Sequence, residues 1–230
     1  MRDNPTSRDR AGADRTAGRR PLAYARGSSE APRVALCPAY ILSGGKSSRF
    51  GSDKALAALD GRPMIVRLAD QLSRLCVSVV VVADRPDKYA HFGLTTIADD
   101  QPGCGPLGGL ATALRHCDTE WLLACAADMA WMDDAAVAEM WSARPDRPTA
   151  VAYRGSVWQP MPALYHRQTL AAAQQALAEN RRGLHALLDR INAVAIPRDD
   201  AQLPFCHANT PDELAAIERW LRSPREGRQG

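Results

Sequence analysis

An α/β fold around a mostly parallel central sheet is predicted by three features of the sequence. From Ala39 onward, short apolar runs alternate with amphipathic stretches, as strand and helix units do. The run from Val77 to Ala83 is β-branched, which suits a strand buried on both faces. Between such runs the apolar residues recur three and four apart, the spacing of one helix face. The 230 residues suffice for one well-packed domain and are short for two.

The elements follow in order. Ala39 to Leu42 is a short buried strand. Pro63 to Leu75 places Ile65, Leu68, Ala69 and Leu72 on one helix face, and Val77 to Ala83 is the second strand. Leu94 to Ala98 forms a third, and the glycine-rich segment after it opens a helix from Leu107 to His116. Trp121 to Ala127 is the fourth strand, followed by a helix from Asp133 to Ala143 and a strand from Thr149 to Tyr153. An alanine-rich helix over Gln168 to Glu179, a strand at Val194 to Ile196, and a helix over Pro211 to Leu221 complete the pattern. Thr210 caps that last helix, with Pro211 at its first position. No internal repeat is visible.

These elements confine the folded domain to residues 37–222. Residues 1–36 carry Arg, Asp, Gly, Ala and Ser without hydrophobic periodicity, a composition expected to stay disordered. A dispensable extension is the expected reading of this tail and a basic interaction arm the alternative. Residues 223–230 are expected to be a flexible end. Eight Arg against Asp3, Asp9, Asp14 and Glu30 give the first 33 residues a charge of +4, leaving −1 for the rest of a chain whose formal charge is +3. A nearly neutral domain without a stripe of basic and aromatic residues argues against nucleic-acid binding.

Six cysteines lie far apart, with neither a Cys-x-x-Cys pair nor zinc-ligand spacing, so reduced, mostly buried thiols are expected. No run approaches the roughly 20 apolar residues of a membrane span, and no secretory h-region opens the chain. A cytoplasmic protein without membrane contact is the expectation.

The most informative stretch runs from Leu42 to Lys54, leaving a buried strand and heading for a helix. Gly44 and Gly45 allow the backbone to turn its N–H groups onto an anion, and phosphate suits such a nest. Arg49 offers planar, bidentate donors to phosphate oxygens and Lys54 a point charge. A Walker A loop ending at Gly45-Lys46-Ser47 needs glycine where Tyr40 stands, and a dinucleotide fingerprint needs it where Lys46 or Ser47 stands. Both better-known phosphate loops are excluded.

Leu42-Ser43-Gly44-Gly45-Lys46-Ser47-Ser48-Arg49-Phe50-Gly51-Ser52-Asp53-Lys54 resembles the loop of the molybdenum cofactor guanylyltransferases, Leu-x-Gly-Gly-x-Ser-x-Arg-Met-Gly-x-Asp-Lys, with Phe50 in place of Met. The resemblance implies a three-layer, Rossmann-like nucleotidyltransferase fold. It implies that Leu42, Ser43, Gly44, Gly45 and Lys54 bind GTP and that Arg49 and Lys54 serve catalysis. Related cytidylyltransferases usually carry Ala-Gly where this chain has Gly44-Gly45, which tilts the choice towards guanine.

Carboxylates at strand ends come next, since ligands of open α/β sheets gather there. Asp128 follows the fourth strand directly, where a Mg²⁺ ion beside a triphosphate is a natural partner; a plain helix N-cap is the bland alternative. The family's Cys-Pro-x-Asp-x-Pro-like motif, whose Asp binds the metal, is matched at Cys125 and Asp128, with Ala126 and Ala130 in place of proline. Asp99 matches a GTP-binding carboxylate of the family; guanine edge, ribose and a turn-forming role all remain open to it. Gly103-Cys104-Gly105-Pro106-Leu107-Gly108-Gly109-Leu110 resembles the family's Gly-Pro-Leu-x-Gly-Leu segment, for ligand approach or for packing. The family's Asn near the end of the second strand is Val82 here, followed by Asp84, so either Asp84 substitutes in the nucleotide contact or that contact is lost.

Trp158 to Tyr165 is similar to the family's Pro-x-x-Ala-Leu segment, and His207 to Leu214 to its Asn-Thr-Pro-Glu-Glu-Leu ending, where Asn209 either lines the pocket or belongs to the helix cap. Arg154, Arg181 and Arg182 are candidates for the pterin phosphate or plain solvated side chains, and His166, His185 and His207 show no base partner. GTP and molybdopterin are the implied partners, with molybdoenzymes or their chaperones receiving the product. The rivals are a transferase using CTP or a sugar phosphate and a nucleotide-binding regulator without turnover.

Overall fold

The computed structural model describes residues 37–44 and 53–223. The tail at 1–36, residues 224–230 and, of the phosphate loop, Gly45 and Arg49 lie outside the described residues. Strand β1 (Ala39–Leu42) is followed by a 3-10 turn at Lys54–Leu56, the two-residue strands β2 (Ala58–Leu59) and β3 (Arg62–Pro63), and helix α1 (Met64–Leu72). Then come β4 (Val79–Ala83), β5 (Thr96–Ala98), α2 (Gly105–His116), β6 (Trp121–Ala126), β7 (Met129–Met132) and α3 (Asp134–Ser142). The remainder comprises β8 (Ala150–Arg154), β9 (Trp158–His166), α4 (Leu170–Ala178), α5 (Leu184–Arg190), β10 (Val194–Pro197), β11 (Phe205–His207) and α6 (Pro211–Arg222).

Seven strands form one sheet in the order β10-β8-β9-β6-β1-β4-β5. Only β9 runs against its neighbours, pairing antiparallel with both β6 and β8. The sheet is therefore mostly parallel, as the β-branched and all-apolar runs predicted. Side chains alternate across it with the strand period of two. Ala39 and Ile41 of β1 and Leu123 and Cys125 of β6 join α1 and α3 on one face. Tyr40, Leu42, Leu122 and Ala124 join α2, α4 and α5 on the other. A third cluster seats Leu214 of α6 on Leu59, Ala130 and Cys206.

The predicted helices and parallel strands are all present, β1 with the predicted bounds and the others with ends that agree or differ by up to three residues. Helix α1 stops at Leu72 because the Arg74 and Leu75 N–H groups turn back to the Gln71 and Leu72 carbonyls, three residues earlier instead of four, leaving Leu75 in the turn. Helix α2 begins at Gly105, two residues before the predicted start, with Pro106 in its first turn.

The nine-residue β9 was not legible, because Pro160 and Pro162 argue against a strand. The pairing accommodates them: Ala152 faces Ala163, the next residue Tyr153 faces Gln159, and both prolines fall in the intervening bulge. Helix α5 and the small β7–β11 and β2–β3 pairs were likewise unforeseen. No helix among the described residues is long and apolar enough to cross a membrane. None of the six cysteines forms a disulfide among the described residues, and Cys104 alone is partly exposed.

Candidate active site

Register alone gathers the strand ends that matter. Leu42 pairs with Val82 on one side and Ala126 on the other, so β1, β4 and β6 finish at the same edge. The chain then leaves in step: Ser43 N–H donates to the Val82 carbonyl, Asp99 N–H to Ala83 and Ala127 N–H to Leu42. A cleft of about 170 Å³ opens there. Leu42, Ser43, Gly44, Lys54, Asp99 and Asp128 all line it, so every described residue of the predicted site meets in one place.

Lys54 Nζ lies 2.7 Å from Asp128 Oδ2 and 3.0 Å from Asn209 Oδ1. The lysine side chain is 15% exposed and the aspartate 29%, so the pair is only partly screened by solvent. On the other oxygen, His207 Nδ1 sits 3.0 Å from Asp128 Oδ1, while its Nε2 faces the Met161 carbonyl at 3.2 Å. Burial pushes the Asp128 carboxyl upward, but His207 and then Lys54 outweigh it and hold the group at about 2. Asp128 is therefore a carboxylate at any ordinary pH.

Several expectations are corrected here. His207 lacked a base partner in the sequence, yet it clasps Asp128, because the β11–α6 connection crosses behind that residue and Ala208 N–H donates to the Asp128 carbonyl. The N-cap alternative for Asp128 falls away, since Asp133 caps α3 by accepting from Ala135 N–H. Thr210 caps α6, which leaves the Asn209 side chain for Lys54. Asp84 does not replace the missing Asn in the cleft: its side chain is 69% exposed and paired with Lys88.

Asp99 lines the cleft and builds its own turn as well. Its Oδ1 accepts from Gln101 N–H and from the Thr112 hydroxyl, both at 2.9 Å. The glycine segment divides similarly. Gly105 and Gly109 line the cleft, whereas a Cβ on Gly108 would meet the Gln101 carbonyl at 2.7 Å, so that glycine serves helix packing. Arg154 stacks on Trp158, Arg181 is exposed, and Arg182 donates to the Gly103 carbonyl; none of the three lines the cleft.

Lys88 and Tyr89, in the connection after β4, were not singled out from the sequence. Lys88 lines the cleft, with Nζ 3.1 Å from Asp53 and 3.0 Å from Asp84. Burial works against its charge, but Asp84 and Asp53 outweigh that and raise its ammonium above the usual range. A lone Lys-Tyr after a strand carries no sequence signal; only the fold brings it beside Asp53.

The profile of the MobA-like NTP transferase domain matches residues 39–199, which include Lys54, Asp99 and Asp128. A molybdenum cofactor guanylyltransferase of Photobacterium profundum is 33% identical over 184 residues, covering 79% of this chain and 95% of the relative. The chain belongs to the molybdenum cofactor guanylyltransferase family. A probable molybdenum cofactor guanylyltransferase of Deinococcus radiodurans is 35% identical, with 78% and 92% of the two chains covered. Among solved structures, the molybdopterin-guanine dinucleotide biosynthesis protein A of Archaeoglobus fulgidus superposes with a TM-score of 0.70 at 22% identity. It covers 80% of this chain and 98% of its own, and shows the shared fold.

Proposed function

We propose that the chain transfers GMP from GTP to the terminal phosphate of molybdopterin, releasing pyrophosphate and forming molybdopterin guanine dinucleotide. The observation that carries this reading is the meeting of Lys54 and Asp128 beside the Ser43–Gly44 turn, in one cleft at the carboxyl edge of the sheet. Guanine and the molybdenum pterin come from the names of the relatives; the cleft supplies the chemistry.

In that chemistry the Ser43–Gly44 backbone receives the triphosphate, and Lys54 follows the α-phosphate as negative charge develops. Arg49 adds a second cation from the loop. Asp99 presents its second oxygen to the nucleoside. The attacking phosphate of the acceptor is already anionic near neutral pH, so the site needs no general base, and positioning with charge neutralisation suffices. His207 orients the Asp128 carboxylate from behind.

The donor set also fits Mg²⁺. Each Asp128 oxygen accepts one hydrogen bond and keeps a lone pair. No group of three His, Cys, Asp or Glu among the described residues could hold a metal by itself, and Mg²⁺ is commonly held by one or two carboxylates plus substrate phosphates. Bound at Asp128, it would neutralise the departing pyrophosphate and polarise the α-phosphoryl group. We place the activity in the cytoplasm, with the product passing to molybdoenzymes or their chaperones.

Incubation with labelled GTP, Mg²⁺ and molybdopterin, with CTP as competitor, tests the proposal. Labelled dinucleotide and pyrophosphate, insensitive to CTP, are expected. Product formed from CTP, phosphate released without acceptor, or nucleotide bound without turnover would each replace it with a different activity.

A further inference from the structure

Tyr89 is fully buried, yet its hydroxyl meets polar side chains from two other places in the chain. It donates to Asp53 Oδ2 at 2.8 Å and lies 2.5 Å from Ser43 Oγ. A phenol has one proton, so with that proton on Asp53 the Ser43 hydroxyl must be the donor in the second bond. Burial, foremost, lifts the phenol to about 12, which keeps that proton in place. The hydrogen bonds run in one direction, from Ser43 through Tyr89 to a carboxylate, an arrangement in which each bond strengthens the next.

Asp53 is the end of that chain and the start of another. Its Oδ1 accepts from Ala55 N–H at 3.1 Å and caps the 3-10 turn that carries Lys54, while Lys88 steadies its Oδ2. Ser43, at the other end, is anchored to Val82 and leads into Gly44. One phenol thus links the residue that opens the phosphate-binding segment to the residue that precedes Lys54.

We infer that Tyr89 is a positioning residue that sets the distance between the Ser43–Gly44 backbone and Lys54, the two groups that grip a nucleoside triphosphate. The inference rests on the GTP site proposed above. Without the hydroxyl, the binding of GTP has to order the two ends itself, and affinity for the competent arrangement falls in proportion. Once GTP is bound the geometry is restored, so the defect appears in KM and not in kcat.

The test compares Tyr89→Phe, Ser43→Ala and the double variant, each measured for KM(GTP), kcat, thermal midpoint and exchange of the Ala55 amide. Tyr89→Phe is expected to raise KM about tenfold with kcat within about twofold, and to speed Ala55 exchange. The double variant should lie within about twofold of Tyr89→Phe, because both changes break the same chain. A purely structural tyrosine would lower the midpoint and leave KM and Ala55 exchange unchanged, and that result overturns the inference. Should Tyr89→Phe fail to fold, Ser43→Ala, which keeps the ring, decides by the same two readouts. If the wild-type protein transfers nothing from GTP, the functional reading fails separately, and Ala55 exchange in the variants still decides the role of Tyr89.

Discussion

Asp128 holds two partners at once, and their difference in role sets what substitution should do. Lys54 meets it from the cleft, His207 from behind. In the proposed reaction, replacing Lys54 or Asp128 with Ala removes a preorganised charge from beside the phosphates, so turnover should fall roughly a hundred- to a thousandfold. Circular dichroism of each variant should stay that of the wild type; near-normal turnover in both would remove the proposed site. The same carboxylate also shapes acid stability. It is held at about 2 against an ordinary 3.8, so its contribution is complete above pH about 4 and is lost as the pH falls towards 2. That contribution is on the order of 2 kcal/mol. Urea unfolding of wild type and Asp128→Asn should therefore differ most above pH about 4 and converge in stronger acid. Asp128 was legible because it directly follows an apolar run; His207 was not, since its partner is 79 residues away and nothing local marks the pairing.

Helix α2 shows how neighbouring glycines separate by packing. A Cβ at Gly108 would strike the Gln101 carbonyl at 2.7 Å and the Cys104 side chain at 2.9 Å, whereas one at Gly109 would meet only Leu42 side-chain atoms, none nearer than 3.7 Å. Gly108→Ala should cost about 1–3 kcal/mol by pushing on the turn that positions Asp99. Gly109→Ala should be neutral or stabilising by up to about 1 kcal/mol, from helix propensity. Denaturation midpoints of the two variants decide this, and equal costs would mean that the turn yields freely. At the start of α6, the Thr210 hydroxyl accepts from Glu213 N–H at 3.2 Å, so Thr210→Ala should cost about 1 kcal/mol in the same measurement. These caps and glycines were readable in the sequence; the antiparallel β9 was not, because its two prolines are tolerated only through the bulge opposite Ala152 and Tyr153.

At the scale of the molecule, one sheet separates two apolar layers that share no buried side chain. Ile41 belongs to the first layer and Leu110 to the second, each at 0% exposure. Truncating either to Ala should cost about 2–5 kcal/mol through lost burial and a residual cavity. Because both layers rest on the same strands, the protein should unfold in one transition, and the two costs should add to within about 0.5 kcal/mol in the double variant. Separate transitions monitored in the two layers would show instead that the faces hold independently.

Local chemistry was enough to specify the parallel strands, most of the helices, the turn that leaves β1 at Ser43–Gly44 and the acids at strand ends. Each of these is written in contiguous residues, as a run of β-branched side chains, a 3.6-residue period or a glycine pair. The tertiary structure alone decided the order of strands and which distant side chains meet at the cleft. Tyr89, Lys88, His207 and Asn209 reach Ser43, Asp53, Lys54 and Asp128 across 35 to 155 residues of chain. Side chains that act at such separations leave no periodic trace, because what selects them is the geometry of a neighbouring element and not the residues on either side.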